Sequence, residues 1–160
     1  NYVKGAFISM EDERFSKHHG FDIKGTTRAL FSTIGEHDVQ GGSTITQQTA
    51  KNVFCWEGRS WIRKAVEAYY TIWIELIWGK KRILEIYLNV IEMGRGAFGI
   101  DEAAHYYFKV NAEKLNRSQS IKIISTLPCP RTCGFGSSLA RKRQIFMDYA
   151  MRKYGLKLEY

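Results

Sequence analysis

A chain of 160 residues, 44% of them hydrophobic, is long enough for one domain with a real core and too apolar for a disordered segment. Lys and Arg outnumber Asp and Glu by 24 to 16, and the net charge of +8 favours anionic partners without choosing among nucleic acid, phosphorylated molecules and an anionic membrane surface. No apolar run approaches the roughly 18–20 residues of a membrane span, no repeat occurs, and three cysteines are too few for a disulfide scaffold.

In chain order, residues Val3 to Met10 read as a short apolar-leaning helix leading into Glu11. After Gly25, the segment from Thr26 to Ile34 repeats apolar residues at helical spacing. Gly41-Gly42 then frees the backbone, and Ser43 or Thr44 caps a helix running to Phe54. From Ser60 to Trp78 runs the longest periodic stretch. Trp61, Ala65, Ala68, Ile72 and Leu76 form one apolar stripe that Ile62, Val66, Tyr69, Trp73 and Ile77 widen. A stripe that broad predicts a helix buried on most sides. Gly79 ends it, and a helix from Lys80 to Ile91 follows with Ile83, Leu84, Tyr87, Leu88 and Ile91 facing the core. Ile100–Phe108, Ser118–Leu127 and Ser138–Tyr154 complete the set, the last stopped by Gly155. No alternating run with a hairpin turn stands out, so the expected class is all-α, in a single domain over residues 1–160. Cys129 and Cys133 are able to pair, but Cys-x3-Cys without a His pair is a poor zinc motif; with Cys55 they read as incidental.

Three places offer chemistry. A glycine turn entering a helix, with hydroxyls at the cap and Lys51 one turn in, is a good anion holder; its plain alternative is an ordinary loop-to-helix junction. Gln47, Gln48 and Lys51 share a face of that helix. Glu11, beside Asp12 and close to Phe15, suits a general base, whereas a bare helix end needs no function at all. His18 reads as a hydrogen-bonded structural residue, since no Ser or Cys nearby has a triad context. Arg59, Arg63 and Glu67 are four apart, with Lys64 three from Glu67, so all four can face one space. Surface ion pairs are the modest reading; a cationic clamp for a diphosphate is the sharper one.

Five blocks in order carry a resemblance. They are Glu11-Asp12-x-x-Phe15-x-x-His18-x-Gly20; Gly41 to Gln48 with Lys51-Asn52; Arg63-Lys64-x-x-Glu67; Lys80-x-x-Ile83-Leu84-Glu85-x-Tyr87-Leu88-Asn89; and Gly94-x-Gly96-x-x-Gly99-Ile100-x-x-Ala103-Ala104. Leu127-Pro128-x-Pro130 extends them. The chain thereby resembles the peptidoglycan glycosyltransferases, glycosyltransferase family 51, in their monofunctional form. Thr49, Met93 and Cys129 depart from that pattern, where an aliphatic residue, an aromatic and an asparagine are common.

The resemblance implies a compact, lysozyme-like helical domain at the outer face of the bacterial cytoplasmic membrane. There it would polymerise lipid II into β-1,4-linked glycan with inversion, releasing undecaprenyl diphosphate. Glu11 would be the general base, with Asp12 and Phe15 beside the substrate. Lys51 and Arg59 would hold the donor diphosphate, with Arg63 and Lys64 along the same face. Glu67 would organise these cations, directly or through a divalent ion (Mg or Mn); no cofactor is otherwise implied. Ser43, Thr44, Gln48 and Asn52 would hydrogen-bond sugars and phosphates. Leu84, Tyr87 and Leu88 are expected in the core, and the glycines of the fifth block where backbones approach closely. The partners implied are lipid II, the nascent glycan, the membrane, and penicillin-binding proteins or division machinery, with no nucleic acid. The chain opens at Asn1 rather than Met, so a trimmed domain is expected, with a single-pass anchor in the full-length protein. Phe21, Ile23, Leu30 and Phe31 are the candidates for membrane contact.

A muramidase or lytic transglycosylase also works with one glutamate in a helical cleft, but has little use for four converging cations. A non-catalytic module for anionic lipid or nucleic acid would use the basic surface and have no need of Glu11.

Overall fold

The computed structural model describes the backbone of residues 2–25 and 42–154. The expected helix over 26–34, with Leu30 and Phe31, together with Gly41 and the Gly155 stop, lies outside the described residues. Seven α-helices are described: α1 (Tyr2–Glu11), α2 (Ile45–Phe54), α3 (Trp61–Ile77), α4 (Lys80–Val90), α5 (Ile100–Phe108), α6 (Arg117–Ser125) and α7 (Ser138–Tyr154). The domain is mostly α and lysozyme-like, as expected.

The helix starts follow local chemistry. Thr44 and Gln47 form a reciprocal capping box at α2, and Asn116 and Gln119 do the same at α6. Ser60 caps α3 by accepting the Arg63 N–H at 3.0 Å. Core side chains then lock the helices together: α1 packs on α6 and α7, and α2 on α3 and α4. Phe7 meets Tyr87 edge to face at 6.0 Å, joining α1 to α4, and Met10, Ile45, Ile83, Leu84, Ile123 and Met147 are all essentially sealed. Each such side chain contributes on the order of 1.5–3 kcal/mol by leaving water.

Three expectations need correction. A small antiparallel hairpin, β1 (Glu92–Gly94) and β2 (Ala97–Phe98), interrupts the helices. Strands of three and two residues are too short for alternation to register. Beyond it, Gly99 sits at φ +82°, and a Cβ there would lie 2.7 Å from the Asn89 carbonyl oxygen, so this position requires glycine.

The second correction concerns α3. Its core-facing residues are Glu67, Thr71 and Ile74. The broad apolar stripe points the other way: Trp61 is 92% exposed, Leu76 72%, and Ile62 and Ile77 71% each, with Tyr69, Ile72 and Trp73 also exposed. The polar side turns inward because it serves neighbours. Gly20 abuts Thr71 closely enough that an added Cβ would stand 2.7 Å from its methyl, and Glu67 gathers cations there.

Third, Cys129 and Cys133 are not incidental but disulfide-bonded. The Cys133 N–H donates to the Cys129 carbonyl at 2.7 Å, and this turn sets the Cα atoms 5.2 Å apart, within bridging range.

Candidate active site

Glu11 ends α1 and meets α2 and α7. One carboxylate oxygen accepts from the Arg143 guanidinium and the other from Gln48 Nε2 at 3.0 Å. A carboxylate at a helix C-terminus faces the negative end of the peptide dipoles, so a cation is needed there. Arg143 supplies it from α7, its side chain only 2% exposed and that of Glu11 10%. A carboxylate offers about four acceptor positions and two are used, leaving capacity for an incoming hydroxyl. Gln48 in turn accepts from the Tyr87 hydroxyl at 3.3 Å.

Burial, and next the negative charge of Glu11, push the Tyr87 phenol well above its usual value of about 10. Below pH 10 folded and unfolded chains both keep that proton, and stability is unaffected. Above it the unfolded chain releases the proton first, so stability falls with pH until the folded phenol ionises too. Urea unfolding between pH 9 and 11 should therefore show a decline of up to about 1.4 kcal/mol per pH unit from this group. Tyr87→Phe should flatten it; an identical slope in the variant would exclude Tyr87 as its source.

Asp12, adjacent in sequence, has the opposite fate. Its carboxylate is buried, 2.8 and 2.9 Å from His18 Nε2, and accepts the Ile45 N–H at 3.0 Å. The anion held at the start of α2 is thus the chain's own. Thr44 is equally committed, donating to the Gly20 carbonyl at 2.6 Å and accepting from the Gln47 N–H at 3.1 Å. Phe15 is fully buried beneath the Lys80 ammonium, 4.6 Å from its ring centre. Asp12, Thr44 and Phe15, expected beside the substrate, are buried, with Asp12 and Thr44 engaged by partners inside the protein. His18 is structural, as expected.

Of the remaining candidates Lys51, Asn52 and Arg59 are exposed, Ser43, Gln48, Arg63 and Lys64 half-buried, and Glu67 buried. Gln48 and Lys51 lie one turn apart on α2, about 4.5 Å along its axis. Asn52 donates to the Gln48 carbonyl at 2.7 Å, and the Ser43 carbonyl accepts from Gln48 Nε2 at 3.3 Å. Glu67, nearly sealed, accepts from Arg63 at 2.9 Å and from Lys64. Lys51 joins this group electrostatically around the Cys55 thiol. Burial and then Glu67 raise that thiol's pKa, while Arg63, Lys64 and Lys51 oppose the shift. Arg59 stands exposed in the loop between α2 and α3. Among the described residues neither Lys51 nor Arg59 has an ion-pair partner. Both oxygens of Glu67 already serve cations, and among the described residues no three His, Cys, Asp or Glu side chains converge. That donor set does not fit a protein-held divalent ion.

Sequence reasoning missed Arg143. Its signal was a cation on the stripe Ala140, Arg143, Met147 of α7, where the other two positions are fully buried. A charged side chain in such a row needs a buried counter-charge, but the row does not say which.

An acid with open lone pairs, hydrogen-bonded to Gln48 one helical turn from Lys51, has the make-up that acid–base work on an anionic substrate needs. Comparison with known proteins agrees. Residues 1–151 match the family described as transglycosylase. Over 155 residues the chain is 46% identical to a biosynthetic peptidoglycan transglycosylase of Chromohalobacter salexigens, covering 96% of this chain and 66% of that protein. A protein of the same description from Pseudomonas aeruginosa is 48% identical over 128 residues, 80% of this chain and 55% of the relative. A monofunctional glycosyltransferase of Staphylococcus haemolyticus is 58% identical over 120 residues, 75% and 44% of the two chains. The chain belongs to the transglycosylase family. It spans between 44% and 66% of the length of these relatives.

Proposed function

We propose that this domain polymerises lipid II into peptidoglycan glycan strands at the outer face of the bacterial cytoplasmic membrane. The observation that carries the reading is Glu11, fixed by Arg143 and Gln48 yet with acceptor capacity to spare, on a glutamine that stands one helical turn from the uncommitted Lys51. In this mechanism Glu11 takes the proton of the acceptor sugar's 4-hydroxyl as that oxygen attacks the donor's anomeric carbon. Attack from the face opposite the leaving group inverts the centre to a β-1,4 linkage. Undecaprenyl diphosphate departs, and Lys51 and Arg59 stabilise the charge developing on it. Arg63 and Lys64, anchored by Glu67, form the back of the clamp.

Lipid II polymerisation with and without EDTA tests the proposal and any help from a divalent ion carried by the substrate diphosphate. Glycan strands are the expected product. Soluble muropeptides released from sacculi, with no polymer from lipid II, would overturn it in favour of a lytic enzyme.

A lipid-linked substrate has to be met at the bilayer, and the outward apolar face of α3 supports contact there. Trp61, Ile62, Leu76 and Ile77, with the exposed Ile23 and partly exposed Phe21, offer the aromatic and aliphatic surface that interfaces favour. Among the described residues no helix is long and apolar enough to cross a membrane, and none is needed for this contact. Replacing Trp61 and Leu76 by serine should cut liposome co-flotation severalfold with the melting temperature unchanged. Equal flotation would move the contact elsewhere.

A further inference from the structure

The loop between α2 and α3 carries Arg59. Among the described residues the side chains from Trp56 to Arg59 make a single ion pair, between Glu57 and Arg131 at 3.8 Å. Arg131 comes from the turn after α6, and its position there is built. The Cys129–Cys133 disulfide closes the turn, and Arg131 sits at its centre. Arg131 Nε donates to both oxygens of Glu92, at 2.9 and 2.8 Å, while Glu92 also accepts the Gly96 N–H at 3.0 Å. The turn is thus fastened to the hairpin, and from that base Arg131 reaches across to the Arg59 loop. Glu57 lies two residues from Arg59, is the carboxylate nearest to it in sequence, and its side chain is 94% exposed.

We propose that Arg131 is a positioning residue for substrate binding: the disulfide-closed turn holds it where it draws Glu57 away from Arg59, leaving Arg59 free for the substrate's diphosphate. The inference rests on the diphosphate reading of Arg59 given above. Reduction by a dithiol breaks the S–S bond, the dithiol supplying two electrons and two protons and itself becoming a disulfide. It loosens the turn, leaving Arg131 held by Glu92 alone among its side-chain anchors, and lets Glu57 turn back more often. The disulfide therefore acts as a redox-sensitive setting on donor binding.

Exposed ion pairs are worth little singly, so the expected effect is about two- to fivefold in lipid II affinity, with little change in turnover at saturation. Arg131→Ala and dithiothreitol-treated wild type should both bind lipid II two- to fivefold more weakly, and Arg131→Lys should recover part of the loss. Arg131→Ala combined with Glu57→Gln should bind like oxidised wild type, a rescue that a merely structural role for Arg131 does not give. Cys129→Ser/Cys133→Ser should be insensitive to dithiothreitol. In an Arg59→Ala background the Arg131 effect should vanish; its persistence would overturn the proposal. Hydrogen–deuterium exchange over residues 56–60, without substrate, should quicken on reduction and in Arg131→Ala; unchanged exchange would overturn the strap whatever the substrate proves to be. If oxidised wild type ignores lipid II while exchange responds, the tether holds and the lipid II reading fails.

Discussion

Glu11→Gln should abolish most polymerisation, lowering the rate on lipid II about 10²- to 10⁴-fold, while lipid II binding stays within a few fold of wild type. The range is what a positioned general base contributes. The amide keeps one acceptor oxygen for Arg143, and Gln48 is able to flip its own amide, giving up its 3.3 Å bond to the Ser43 carbonyl while the Tyr87 hydroxyl accepts in place of donating. The fold is therefore preserved while the proton acceptor is lost. Gel analysis of polymer from radiolabelled lipid II and a separate binding titration measure the two effects. A variant retaining more than about a tenth of the rate would remove Glu11 from the role of base. Loss of binding in proportion to rate would make it a substrate ligand instead.

Arg143→Ala carries the largest expected cost in stability. The guanidinium is almost sealed and pairs with a carboxylate at the C-terminal end of α1. Removing one partner of a buried pair costs about 3–5 kcal/mol, because the other charge remains without compensation. For a domain of this size that corresponds to roughly 6–20 °C in melting temperature. Activity should fall as well, since Glu11 loses one of its two anchors. Arg143→Met combined with Glu11→Gln should recover much of the stability and none of the activity, separating the charge imbalance from the cavity. A melting temperature within a degree or two of wild type for Arg143→Ala would show that the pair bears little weight.

The helical frame was legible in sequence because capping residues and apolar spacing speak locally. Ser60, Thr44 and Gly79 announce their helices, and Ile83, Leu84, Tyr87 and Leu88 are buried as their spacing predicts. The direction in which α3 faces was not legible. Periodicity reveals that a stripe exists, and cannot say whether protein or something else covers it. Half of the Glu11 environment was legible for a similar reason. Gln48 belongs to a motif next to the acid in the chain's own order, whereas Arg143 lies 132 residues away and meets it only through packing of α1 against α7. From sequence Asp12 is expected beside the substrate, next to Glu11. Only the folded geometry reveals that an N–H of α2 and the His18 ring already claim it.

That division between neighbours has a consequence for the freedom of the site. Glu11 and Asp12 are adjacent, yet Asp12 is pinned from two sides, by α2 and by the segment leading to Gly20. Fixing residue 12 fixes the backbone from which Glu11 springs, and Arg143 and Gln48 hold its carboxylate, so the acid has few rotamers left to lose on binding a ligand. Ordering a long acidic side chain costs up to about 2 kcal/mol of entropy. Here that loss is taken when the chain folds rather than at each turnover. One methylene separates the two acids: the shorter is spent on rigidity, and the longer, set on that rigid base, keeps the reach that the proposed base needs.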